Sequence, residues 1–254
     1  VTCACFARAT IILIIVLSSM HDESHIPASA GEWYELLSQL ETETSESYLK
    51  KPANLVKDYR AEKAMSRDYE GRELLELLQN AADQAQDACV AGKVIIQVKK
   101  EGLLVGNTGT PFSIGGIESI ENAHLSPKRF NKQHYIGNKG LGFRSVLNWT
   151  DSPIISSGQL SVAYCRSLLA SKLEELKDRN FDLKRRVEKE PSAESELVIP
   201  VLAYPGFARN RDLLNILTDS ASRLLCESCE SLRQEGYDTV IGMPFSSPGL
   251  YEKV

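Results

Sequence analysis

The residues best suited to chemistry lie in Arg72 to Cys89, RELLELLQNAADQAQDAC. Wound at about 100° per residue, this stretch separates into two stripes. Leu74, Leu77, Leu78, Ala81, Ala85 and Ala88 fall on one face, with Leu75, Ala82 and Cys89 at its margin. Glu76, Asn80, Asp83 and Asp87 fall together on the other, within roughly a 60° arc. An ordinary solvated helix face mixes both charge signs and uses lysine freely. This stripe has no lysine and gathers a carboxamide among carboxylates, a set suited to a hard metal ion or a polarised water. Arg72, on its edge, is placed to pair with Glu76 or a phosphate, and simple exposure is the reading for Asp87.

The elements that must position this stripe follow in chain order. Helical periodicity runs from Gly31 to Lys63, and Asp68 is an N-cap candidate for the polar-striped helix. That helix is expected to end near Ala91-Gly92. Lys93 to Lys99 reads as a strand, turning at Glu101-Gly102 into a second, Leu103 to Val105. The second strand leads into Gly106-Asn107-Thr108-Gly109, where glycine permits close backbone approach. Residues 113 to 136 carry no strong period and read as a long loop, of the kind that forms lids. Tyr135 to Arg144 (YIGNKGLGFR) then places three glycines in six residues ahead of a helix expected over Phe143 to Trp149. Unobstructed N–H groups at the positive end of a helix favour phosphate.

Strands are expected at Pro153 to Ser156 and Leu160 to Tyr164. A charged helix follows over Ser167 to Val187, then an apolar strand at Leu197 to Leu202, a helix over Asp212 to Leu232, and a strand over Asp238 to Met243. Periodicity alone supports mixed α and β.

Composition is that of an ordinary globular chain of 254 residues, 43% hydrophobic and 25% charged. Its net charge of −5, with Lys and Arg dispersed, argues against a general nucleic-acid grip. Six cysteines at this length do not make a secreted disulfide framework. Cys226 and Cys229 read as ordinary helix residues. The seven-residue apolar run Ile11 to Leu17 is too short to span a bilayer. The folded protein is expected to begin after Met20, with residues 1–20 an extension, 21–66 a helical segment and 67–254 the main domain. A cytoplasmic setting without membrane attachment is expected.

Taken in order, the helix stripe, the Asn-Thr-Gly turn and the glycine loop resemble the GHKL ATPases. Glu76-Leu-Leu-Gln-Asn80-Ala-Ala-Asp83 is similar to that superfamily's N box, where the Glu polarises water and the Asn binds magnesium. Gly137-Asn-Lys139-Gly140-Leu141-Gly142-Phe143 resembles the box that closes over the phosphates. Val105-Gly-Asn107-Thr-Gly109 stands where the adenine-reading turn stands, and Tyr237-Asp-Thr239-Val-Ile is similar to the strand whose Thr contacts the adenine region. Ile136 to Gly158 (IGNKGLGFRSVLNWTDSPIISSG) most resembles the sacsin-type and No Vein-type modules.

The resemblance implies an α+β fold, the two-layer Bergerat sandwich, with a mixed sheet and helices on one face. It implies ATP and Mg²⁺ as ligands, with Glu76 as general base and Asn80 as metal ligand. Asp83, Asn107, Gly109, Gly137, Lys139, Gly140, Leu141, Gly142, Phe143 and Thr239 would contact or support the nucleotide. The partners expected are ATP and protein clients or further domains of a larger chain, the chain itself reading as truncated after the Thr239 strand. Asn107 departs from the superfamily's Asp and gives a neutral acceptor, worth ~0.5–1.5 kcal/mol against ~1.5–3 for a charged one. Two alternatives accompany slow ATP hydrolysis: a nucleotide sensor without turnover, and a histidine-kinase-type catalytic domain.

Overall fold

The computed structural model describes residues 24–121, 142–192 and 196–252. Helix α1 (Ala30–Lys50) starts at Ser29, whose Oγ accepts the Glu32 N–H, while the Glu32 carboxylate accepts the Ala28 N–H at 2.6 Å. Reciprocal capping of this kind satisfies donors that a bare helix end leaves open. Its buried residues Trp33, Leu36, Leu37 and Leu40 enter one core, and Tyr48 a second. Helix α2 (Ala53–Asp68) follows and includes Asp68. The expected cap is therefore the last residue of the preceding helix, and α3 (Glu73–Asp87) starts at Arg72 with no side-chain cap.

The sheet has the order β1-β2-β6-β3-β4-β5, with β1 Val94–Lys99, β2 Gly102–Asn107, β3 Ile154–Ser157, β4 Leu160–Ala163, β5 Gly206–Phe207 and β6 Thr239–Pro244. Every pairing among the described residues is antiparallel, which corrects the expected mixed sheet. The chain's final described strand, β6, inserts between two local hairpins, so no parallel crossover is made.

Strand alternation turns Leu103, Val105, Ile155 and Ile241 to one face, where they meet Leu77 of α3, α1 and α4 (Ile114–Glu121). Leu104, Ile154 and Val240 turn to the other face, where Leu225, Cys226, Cys229 and Leu232 of α7 (Ser220–Gln234) cover them. Helices thus cover both faces, not one. The reason is visible in β2 and β6, which are buried along their whole length and need cover on both sides. The α+β class itself holds.

Four local expectations change. Residues 114–121 form α4 within the expected loop, because Ile114, Ile117 and Ile120 recur on one buried side. The charged helix divides into α5 (Arg166–Arg179) and α6 (Phe181–Glu188) at Asn180, whose side chain caps α6 by accepting the Leu183 N–H. Leu197 to Leu202 is not a strand. The Val201 and Leu202 N–H groups go to the buried Glu62 carboxylate, and Val201–Ala203 is a short 3-10 turn. Asp212 starts a 3-10 turn, and α7 begins later, capped by Asp219. Among the described residues no helix is long and apolar enough to cross a membrane.

Candidate functional site

Helix α3 carries the polar stripe inward. Glu73, Glu76 and Asp83 are buried, Asn80 is half-buried, and Asp87 is exposed as expected. The residues at the apolar margin, Leu75, Ala82 and Cys89, face solvent instead. Leu77, Ala81 and Ala85 bury the apolar side of α3, so the helix is enclosed on both sides and its carboxylates need partners of their own, while Leu75 stays 49% exposed.

Two contacts fix Glu76. Its Oε1 pairs with Arg72 one turn earlier, at 3.0 Å. Its other oxygen lies against Gly142, where an added Cβ would stand only 2.1 Å from Oε2. Gly142 opens the 3-10 helix Gly142–Asn148, the form taken by the helix expected at Phe143 to Trp149. Seven residues of 3-10 helix supply little macrodipole, so the helix field expected from the sequence is weak here. Phe143 and Val146 hold the segment in the core. Asn148 ties it to the helices, donating to the Ser66 carbonyl and to Glu73 Oε1, each at 2.9 Å. Gly137, Lys139, Gly140 and Leu141 lie outside the described residues.

Arg144 follows Phe143 and is almost wholly buried. Its guanidinium donates to the Ile120 carbonyl at 2.6 Å, capping the end of α4. Burial lowers its pKa, and the Glu62 carboxylate offsets this. Beside it, burial pushes the Glu121 carboxyl well above the usual range, with Glu118 and Glu41 adding to the shift. Glu121 Oε1 and the Tyr164 hydroxyl have no hydrogen-bond partner among the described residues.

The far end of α3 meets the sheet. Asn107, Thr239 and Ser157 stand side by side across β2, β6 and β3, on the face that carries Val105 and Ile241. The Ser157 and Thr239 hydroxyls are 2.6 Å apart. The Asn107 amide donates to Gln84 Oε1 of α3 at 2.7 Å. Gly109, at φ +140°, presses on the Gln84 backbone so closely that a Cβ would fall 2.6 Å from its carbonyl carbon. Its N–H donates to Asp238 at 2.9 Å, and the Thr110 N–H donates to the Gln84 carbonyl at 3.0 Å. The structure therefore gathers Asn107, Gly109 and Thr239 around one end of α3, and Gly142 and Phe143 near Glu76.

Gln84, Ser157 and Asp238 were not singled out from the sequence. Gln84 lies four residues after Asn80, so the stripe's own spacing points to it. Ser157 and Asp238 are revealed only by strand register. Cys226 and Cys229 face the sheet from α7 as plain packing residues, and burial pushes the Cys226 thiol up to about 11.

No family model and no solved structure matches the chain. Among curated proteins, the chain is similar to Protein NO VEIN of Arabidopsis thaliana, with 34% identity over 84 residues. That match takes in 33% of this chain and 3% of the Arabidopsis protein.

Proposed function

We propose that the chain is a magnesium-dependent ATP-binding module of the GHKL type that hydrolyses its nucleotide slowly. The observation that carries this reading is the contact of Gly142 with buried Glu76. It joins the end of the glycine loop to the first residue of the polar stripe, 66 positions earlier in the chain. Two motifs that were read separately thus meet on one helix, whose other end holds the Asn-Thr-Gly turn. The face carrying Asn107 and Thr239 would be the nucleotide side of a Bergerat-type fold, with α7 on the opposite face. Similarity to Protein NO VEIN agrees with the resemblance read from Ile136 to Gly158.

In this reading the Asn107 and Thr239 row meets the base, and Gly137 to Phe143 lies over the phosphates. Glu76 accepts a proton from the attacking water, and its pairing with Arg72 orients the carboxylate. Asp83 supports the nucleotide side of α3. Magnesium, when bound, would neutralise phosphate charge. Among the described residues no cluster of three His, Cys, Asp or Glu side chains could cage a metal. A single hard ligand, the Asn80 amide oxygen, suits an ion that keeps most of its shell as phosphate and water. Protein clients or neighbouring domains would read the nucleotide state.

A sensor that binds without turnover is the second reading. It is favoured by the neutral Asn107, whose amide is already bonded to Gln84. Phosphate release with Mg-ATP separates the two. Hydrolysis predicts slow wild-type turnover that falls by about 100-fold or more in Glu76→Gln, at little changed ATP affinity. Equal release by both proteins would remove Glu76 from the chemistry, and binding without release would leave the sensor.

A further inference from the structure

Among the described residues, strand β1 ends the sheet and has β2 on one side only. Its residues alternate in burial, with Val94, Ile96 and Val98 each more than 40% exposed. Ile95 packs on the α7 side of the sheet, and Lys99 reaches Ser228 of α7 at 2.7 Å. The hydrogen-bond phase of the β1–β2 pair is set by the Thr108 N–H donating to the Lys93 carbonyl. With Lys93 in a bonded pair, residues 95, 97 and 99 bond to β2. The N–H and C=O groups of 94, 96 and 98 therefore point away from the sheet. The three exposed apolar side chains belong to the same residues whose outward backbone groups face no strand among the described residues.

The charges then select among occupants. A second copy could pair antiparallel about Ile96, setting Val94 on Val98. That register places Lys93 opposite Lys99 at both ends, and like charges directly opposite destabilise a ladder. Lysine at a sheet edge is a known guard against self-pairing. The same two lysines attract a strand that carries carboxylates at those positions.

We propose that β1 is a docking edge for an extended peptide segment that adds a seventh strand. The partner carries apolar residues at alternate positions, opposite Val98, Ile96 and Val94, and an acidic residue at each end, opposite Lys99 and Lys93. Backbone bonds supply affinity, and the two charge pairs set the register and exclude a second copy of this chain.

Fluorescence anisotropy with the full chain and two labelled peptides, EVTITVE and KVTITVK, tests this. The acid-ended peptide is expected to bind about tenfold more tightly, from two charge pairs turned from repulsion to attraction. Lys93→Glu with Lys99→Glu should reverse that preference, and Ile96→Asp should abolish binding of both peptides at an unchanged melting temperature. Equal binding of the two peptides, or binding of neither to the folded chain, would overturn the proposal. So would a wild-type dimer in sedimentation that Ile96→Asp dissolves, since the occupant would then be a second copy.

Discussion

Glu76 and Glu121 show how one residue type takes two roles by its surroundings. Glu76 is buried but has Arg72 at 3.0 Å and backbone beside it. Glu121 sits in the core near Glu118 and Glu41, with one oxygen unpartnered among the described residues. Burial raises its pKa, so the folded chain holds the proton that the unfolded chain releases. Below the ordinary carboxylate range both states are protonated and the stability is complete. As pH rises toward the folded pKa, stability falls by up to about 1.4 kcal/mol per unit. Glu62 shifts in the same direction, so it adds to the slope. We expect Glu121→Gln to remove part of that slope, gaining on wild type between pH 5 and pH 8 in denaturant titrations. A constant difference between the two proteins across that range would show that Glu121 ionises freely in the fold. The sequence marked Glu76, Asn80 and Asp83 as one stripe because spacing alone sets which residues share a face. It could not say that the stripe turns inward, since that depends on what packs against α3.

At the scale of elements, the contact between α3 and the 3-10 helix Gly142–Asn148 decides the site. Alanine is ordinarily favoured over glycine in helical backbone by about 1 kcal/mol. At Gly142 the new methyl would meet the Glu76 carboxylate, whose side chain can swing clear only by giving up its pairing with Arg72, and that loss opposes the gain. Gly142→Ala should cost about 1–3 kcal/mol and displace the Glu76 carboxylate, reducing phosphate release by tenfold or more. Gly31→Ala is the control, since its Cβ meets only Ser29 Oγ at 3.7 Å and stability should hold. Wild-type stability and turnover in Gly142→Ala would show that the contact is loose. Elements were legible where periodicity was strong, as in α1 and the β1–β2 hairpin; α3 was legible by its stripes, while its start at Arg72 and its end at Asp87 differ from the expected cap at Asp68 and end near Gly92. Helix α4 was hidden by Gly115 and Gly116, each costing about 1 kcal/mol in propensity, and tertiary burial of its three isoleucines overrides them. The break at Asn180 was hidden for the opposite reason: leucine spacing continues across it, and only the cap marks it.

For the whole molecule, pairing between distant strands is what local pattern does not encode. Strand β6 lies between β2 and β3, which sets Asn107 and Ser157 on either side of Thr239. The antiparallel sheet and the cover on its second face follow from that insertion. Among the described residues, the same topology leaves β1 at the sheet's edge while the sheet centre is fully buried. In an acidic chain of net charge −5, the proposed nucleotide site requires cationic and N–H groups to be concentrated locally. The proposed magnesium-dependent ATP site joins α3, the Asn-Thr-Gly turn and the glycine loop. Calorimetric titration of ATP into the full chain, with and without Mg²⁺ and beside Asn80→Ala, tests it most directly. Saturable binding in Mg²⁺ is expected, weakening by tenfold or more when either the ion or the Asn80 amide is removed. ATP affinity indifferent to both, or no heat of binding from the folded chain, would contradict it.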